Sequence, residues 1–289
     1  MKRKVLCLFM SILTVLSMST VVNASEQEEI EIFPELEVYS EEYPEAYIVV
    51  DMPLDVSRRI KQGETVELGN VKATVFVEED GNGSRLLSKE EVDEYGIENF
   101  QAIRYNPLTR GASNSKGTLT ITLSGTYSYI NNSKGVKCDV SAGAKWSGYN
   151  FITNNSLNPA VGEDFLGLTW GGEFNLTDSS ASGKLTNGAS VKVYAADGVP
   201  NCGQVYSFDE RNYQGAYLKN LSATFNLRKN KMTGDGNRTE AVLKYIHTYQ
   251  ANVGSISISA SSGSVSGGFS LSPCDKQWSI ICRLTNIPY

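Results

Sequence analysis

The chain has one histidine, His247, in 289 residues. That count excludes a histidine-rich metal site and forces any Ser-His-Asp or Cys-His catalytic site to use this one ring. No G-x-S-x-G nucleophile motif accompanies it, and it lies in an apolar, tyrosine-rich strand, so it reads as a packed or surface histidine. No Asp, Glu, Lys or Arg occurs between Tyr245 and Cys274. No apolar run of spanning length follows the first 24 residues, which leaves no candidate for a membrane helix there. There is no period of 20–50 residues, so a solenoid is excluded. The formal charge is −6 and no basic stripe with interleaved aromatics appears, which argues against a nucleic-acid partner. Asp80-Gly81-Asn82-Gly83 and Asp235-Gly236-Asn237 resemble fragments of calcium loops but lack the later acidic ligand, so they read as turns. No metal or other cofactor is expected.

What is present begins with an export signal. Lys2, Arg3 and Lys4 precede the apolar stretch Val5–Met18, and Val22-Asn23-Ala24 suits a small-residue cleavage site. Residues 1–24 are therefore expected to be a signal peptide and the protein to be secreted. Residues 25–110 carry 21 acidic and 8 basic residues, a net of −13, whereas residues 111–289 carry 11 acidic and 15 basic, a net of +4. Opposite signs suggest two units that attract each other. The expected organisation is a flexible acidic leader over 25–45, a small α+β unit over 46–106 that could serve as a pro-segment, a linker over 107–116, and an all-β sandwich or barrel-like domain over 117–289. Ser88 and Glu91 form a capping box for a short helix in the small unit.

The β reading rests on alternation. Leu119, Ile121 and Leu123 alternate with threonines, and Val136, Cys138, Val140, Ala142, Ala144 and Trp146 alternate with polar residues. A hairpin opposing Tyr129 to Val136, Leu123 to Ala142 and Leu119 to Trp146 places every apolar side chain on one face. Leu166, Leu168 and Trp170, then Leu221, Ala223, Phe225 and Leu227, form further inward sets, while the facing of 242–250 is ambiguous. In VGSISISASSGSVSGGFSLS, Ile256, Ile258, Val265, Phe269 and Leu271 alternate with serines. A two-residue turn at Ser262-Gly263 opposes Ile256 to Phe269 and Ile258 to Gly267. Trp278, Ile280, Cys282 and Leu284 make a third inward strand. The antiparallel sandwich needs a second apolar layer to cover these faces.

Four cysteines would remain after signal cleavage. An even number in an exported chain suggests two disulfides. Cys138 and Cys282, both at inward strand positions, are the expected pair, with Cys202 and Cys274 pairing in loops.

The candidate chemistry is sparse. Glu163-Asp164 and Asp209-Glu210, with Glu173, are the visible carboxylates for an acid hydrolase. Trp146, Trp170 and Trp278 fall on apolar strand faces and read as core. Tyr206, Tyr213 and Tyr217, with Arg211, cluster in a loop-rich stretch and are the candidate ligand platform. Arg228, Lys229 and Lys231 form a basic hairpin tip. The reading these features favour is an exported, non-catalytic binding or cell-surface interaction protein, its partner an extracellular ligand or cell-envelope component. A first rival is a membrane-active protein that uses 254–272 as a β-hairpin pore segment, because the uncharged alternation over strands of about nine residues suits a bilayer span. A second is an extracellular hydrolase with acidic catalytic residues.

Overall fold

A computed structural model describes residues 35–38, 44–52, 55–80, 83–87, 91, 115–130, 134–147, 162–209, 216, 218–232, 236–249, 253–259, 265, 268–272 and 276–289. In chain order the elements are β1 (Glu35–Val38), β2 (Pro44–Asp51), α1 (Val56–Lys61), β3 (Val66–Asp80), β4 (Gly83–Leu86), β5 (Ser115–Tyr129), β6 (Val136–Ser147), β7 (Asp164–Trp170), β8 (Asn175–Leu185), β9 (Ser190–Val191), β10 (Val193–Val199), β11 (Gly203–Phe208), β12 (Leu218–Lys229), β13 (Arg238–Thr248), β14 (Ser255–Ile258), β15 (Phe269–Ser272) and β16 (Gln277–Pro288). The signal peptide, the linker residues 107–114 and the strand expected at 100–105 lie outside the described residues. Of the helix expected after Ser88, only Glu91 is described, in helical conformation.

The protein is mostly β. One seven-stranded sheet, sheet A, has the order β1-β2-β16-β13-β7-β11-β10. The second, sheet B, has the order β4-β3-β5-β6-β12-β8-β9. Every described pairing is antiparallel except β16 with β2. The core between the sheets joins Leu119, Trp146, Leu221 and Phe225 of sheet B to Leu166, Trp170, Tyr245, Trp278 and Ile280 of sheet A. All three tryptophans are buried there, as their strand parity requires. The β5–β6 hairpin has the register read from the pattern: Tyr129 opposes Val136, Leu123 opposes Ala142 and Leu119 opposes Trp146. Gly69-Asn70, which interrupts the apolar pattern of β3, falls where that strand shifts register against β5, between Leu68 and Val71.

The separate α+β unit gives way to a different topology. β2 lies between β1 and β16 in sheet A, while β3 pairs with β5 in sheet B over most of its length. The segment 35–86 thus supplies strands to both layers, and part of the expected flexible leader is β1. The two charge classes do not mark two folds, because ladder pairing is set by the pattern of apolar residues along each strand and not by net charge. Between β2 and β3, α1 buries Val56 and Ile60, four residues apart on one helical face, and is followed after its cap Gln62 by Gly63, whose φ of +86° favours glycine.

The serine-rich hairpin also differs from its expected place. β14 and β15 pair only with each other and form a two-stranded ribbon outside both large sheets. Ile258 opposes Phe269 and Ile256 opposes Leu271, a slip of two residues from the register a Ser262-Gly263 turn would set. A slip of two keeps every side chain on its original face, so the apolar set stays together. The ribbon forms a third layer. On β7, Leu166, Leu168 and Trp170 point into the central core, while Phe165 points to the opposite face. There Phe165, Val205 and Ile246 pack with Phe269 and Leu271, flanked by Val253, Ile256 and Ile258. This cover explains the ambiguity of 242–250: β13 is buried on both faces, so no alternation survives in it.

Candidate functional site

Among the described strands, β14 and β15 alone pair with neither large sheet. The sequence of this hairpin explains both its form and its detachment. Ser255, Ser257, Ser270 and Ser272 face water, and Ile256, Ile258, Phe269 and Leu271 face sheet A. Backbone pairing continues to Ser259, whose N–H donates to the Gly268 carbonyl at 3.0 Å, and Ser255 Oγ closes the other end on the Ser272 carbonyl at 3.0 Å. The hairpin therefore satisfies its own inward hydrogen bonds and meets sheet A through side chains. Apolar side-chain docking carries no ladder of directional bonds.

Sheet A is shaped to receive it. A Cβ at Gly167 would lie 2.8 Å from the Phe269 ring and 2.9 Å from Val205, and one at Gly203 would lie 3.0 Å from Ile258. Glycines thus form the floor under Phe269 and Ile258. At the turn end, Val265 packs with Val242 and Ile281. Arg283 on β16 donates to the Val265 carbonyl at 3.0 Å and, through the same nitrogen, to the Glu240 carboxylate of β13. Gly268, at φ +78°, turns the chain down onto Val242 and Lys244. The sequence pattern singled out the hairpin but not Gly167, Arg283 or Glu240, which lie far from it in the chain.

Tyr206, placed by the sequence on a binding platform, lies on the inner side of sheet A. It is 6% exposed, its ring centroid is 6.0 Å from that of Phe225, and its hydroxyl donates to Ser179 Oγ at 2.7 Å. A ring held there cannot stack on an external ligand. Tyr213, Tyr217 and Arg211 lie outside the described residues.

His247 is fully buried between the sheets, against Trp146 and Trp278. Its Nδ1 lies 3.1 Å from Asp164 Oδ1, and its ring packs on Trp278 with centroids 4.8 Å apart. Asp164, also fully buried, accepts from the Tyr245 hydroxyl and from the Thr248 backbone N–H at 3.1 Å. Trp146 Nε1 donates to the Tyr245 oxygen at 3.1 Å. A buried carboxylate with several donors is how a folded interior accommodates charge. The network ties β6, β7 and β13 together. Its neighbour Glu163 is exposed, so the Glu163-Asp164 pair does not converge on one point.

The basic tip is largely tied down. Arg228 pairs with Asp139, and the Lys229 amine donates to the Gly172 carbonyl at 3.0 Å and to Glu173 at 2.9 Å while lying 5.2 Å from the centre of the Tyr289 ring. Glu173 is thereby explained as a turn residue with a partner. Among the described residues no cluster of His, Cys, Asp and Glu could hold a metal ion.

The expected Cys138–Cys282 disulfide is absent. Both residues are buried in the central core, on opposite sheets, as free thiols. Shared inward facing, from which the pairing was read, places side chains in one core without bringing two sulfurs to bonding distance. Burial pushes the Cys138 thiol up to about 12, helped by Asp139 and opposed by Arg228, and burial alone pushes Cys282 up to about 12. Cys202 is half-buried with a free thiol, and Cys274 lies outside the described residues.

No protein-family model and no curated protein matches the chain. Among solved structures it is similar to one described as a pore forming protein, with 7% identity and a TM-score of 0.30, over 63% of this chain and 98% of that one. It is also similar to a structure concerning Streptococcus parasanguinis adhesion by Fap1 fimbriae, with 10% identity and a TM-score of 0.22, over 70% of this chain and 91% of that one. A third is the Corynebacterium diphtheriae major pilin SpaA, with 9% identity and a TM-score of 0.24, over 84% of each chain. Likeness at these scores carries no functional inference.

Proposed function

We propose that this is an exported, membrane-active protein whose Ser255–Ser272 hairpin leaves sheet A and enters lipid. The single observation behind the reading is that an uncharged, alternating hairpin lies as a ribbon that shares no strand ladder with either sheet. A bilayer demands an apolar face and a self-satisfied backbone, and the described strands of the ribbon carry both. Each leg falls short of the ~9–11 residues of a spanning strand in the stored form, with four residues in each strand. Extension through 253–272 supplies the rest. Several chains would have to contribute hairpins, since an isolated pair leaves open edges in lipid.

A second reading has its own support. The outer face of sheet B is hydroxyl-rich: Thr74 and Thr120 oxygens lie 2.9 Å apart across β3 and β5, and Ser180 and Thr224 oxygens 2.9 Å apart across β8 and β12. Such a face suits an extracellular or cell-envelope ligand bound by hydrogen bonds, without catalysis. Dye release from liposomes decides between the two. Release that disappears when 255–272 is replaced by a short Gly-Ser link supports the membrane reading; no release from intact protein at any lipid composition, with retention on cell-wall material, supports surface binding.

A further inference from the structure

The hairpin is seated at two places of different chemistry. Phe269, Leu271, Ile256 and Ile258 dock on Phe165, Val205 and Ile246 by apolar contact. The turn end is held differently. Val265 is 1% exposed and packs on Val242 and Ile281, and its carbonyl accepts from Arg283. Arg283 is itself fixed by Glu240 on the neighbouring strand β13, so the guanidinium bridges sheet and turn. Its side chain is 23% exposed and that of Glu240 is 34% exposed, which leaves the pair reachable by water and ions.

We infer that Arg283 and Glu240 form a latch that holds the hairpin's turn on sheet A, and that opening the latch frees the hairpin while the two sheets stay folded. The physical argument has three parts. A charged guanidinium donating to a backbone carbonyl makes a stronger bond than a neutral donor. The Arg283 fork has a fixed direction because Glu240 orients it. The bond acts on the turn, which is the part of a hairpin that must travel farthest to extend. Neither side chain belongs to the central core between the sheets, since that core is built from the opposite faces of β13 and β16. Losing the latch therefore acts on the ribbon first. Arg283 and Glu240 are positioning residues in this device and touch no lipid in the stored form.

The inference rests on the membrane reading only for its purpose, and the experiment separates the two. Hydrogen exchange by mass spectrometry on the full chain compares wild type with Arg283→Met and Glu240→Gln. Arg283→Met removes both bonds and keeps a side chain that can cover Ile281. Glu240→Gln leaves the arginine but loosens its orientation, and keeps the variant set informative if Arg283→Met folds poorly. The expected result is exchange at least tenfold faster in peptides covering 253–272, with peptides from β6, β7 and β12 unchanged, and a smaller effect of the same kind for Glu240→Gln. Unchanged exchange in 253–272 overturns the latch, and so does a uniform rise through both sheets. Dye release is then measured on the same proteins. Faster release by a variant with a freed hairpin supports both ideas; a freed hairpin without release leaves the latch standing and counts against membrane insertion.

Discussion

Phe269 rests on Gly167. The ring fills the space that a side chain at 167 would occupy, with a Cβ there only 2.8 Å from the aromatic carbon Cε1 and 3.0 Å from the Gln204 carbonyl oxygen. Gly167→Ala is therefore expected to lift the hairpin before it disturbs the sandwich. Overpacking of this kind costs about 1–3 kcal/mol. Urea unfolding followed by tryptophan fluorescence, which senses Trp146, Trp170 and Trp278 in the central core, should show a modest shift while proteolysis within 253–272 accelerates. A cooperative loss of both signals together would mean that the ribbon and the sheets form one unit.

Phe269→Ala separates a docked layer from a central core. Truncating a buried phenylalanine costs about 3–5 kcal/mol when the site stays closed. A ribbon that opens by itself caps the loss at its own docking energy, because the protein then unfolds from the opened state. Phe225, 0% exposed between the sheets, has no such escape. Phe225→Ala is expected to lower the urea midpoint clearly more than Phe269→Ala. Equal losses would place the hairpin within the cooperative core.

Charge on the two faces of the hairpin should act in opposite ways. Ser257 faces water in the stored form, and Ser257→Lys should change folding stability by no more than about 0.5 kcal/mol. In an inserted hairpin the serine face lines the lumen, so the same change should shift ion selectivity toward anions without stopping conduction. Ile256→Lys puts the charge on the lipid face, where it costs about 2–4 kcal/mol at mid-bilayer, and should abolish dye release. Planar-bilayer recording checks both; loss of conduction in Ser257→Lys with survival in Ile256→Lys would reverse the facing.

The thiols give a pH prediction. Cys138 and Cys282 are raised from an ordinary 9.0 to about 12 in the folded protein. A folded value above the unfolded one means that stability is complete below about pH 9 and declines as pH rises toward 12. Burial raises the Tyr127 hydroxyl as well, which adds in the same direction. Thermal melting between pH 8 and 11 should show the decline, and a Cys138→Ala, Cys282→Ala double variant should show less of it. Denatured, unreduced protein should label at both cysteines, while native protein near neutral pH should leave both unlabelled. Absence of label after denaturation would restore the disulfide.

Asp164 should matter more to folding than the rarity of His247 suggests. Asp164→Ala takes the buried acceptor from the Tyr245 hydroxyl and the Thr248 N–H, at a cost of about 1–3 kcal/mol for each donor. A melting temperature close to wild type would contradict this.

The sheets were legible in the sequence wherever one face meets core and the other meets water. The β5–β6 register followed from Leu119, Ala142 and Trp146 alone, because a slip by one residue would have exposed them all. The inward face of β16 was legible from Trp278, Ile280, Cys282 and Leu284, although Ser279 and Ile281 on its other face are buried too, Ile281 beneath Val265. The pattern failed where a third layer lies on a sheet. β13 is buried on both faces, and nothing local to 238–248 says that residues from 253 onward fold back over it. The hairpin's facing was legible, but its place in space was not, since alternation is identical whether the apolar face meets a sheet of the same sandwich, an added layer or lipid. Tyr206 misled because aromatic residues beside loops often bind ligands, whereas parity along β11 puts it with Phe208 on the inner face. Gly167, Arg283 and Glu240 gave no signal at all, because their roles depend on contacts made across long stretches of chain.

The parallel pairing of β2 with β16 sets Glu45 beside Ser279 and Val50 beside Leu284. An early strand of sheet A thus waits for a late one, with nearly the whole polypeptide looped between them. Chains closed by such distant contacts fold slowly. β2 has β1 beside it early, but its other edge stays open until β16 docks there. The strand that closes sheet A beside β2 is also the one that carries Arg283, so completing that edge and positioning the guanidinium over Val265 are one event.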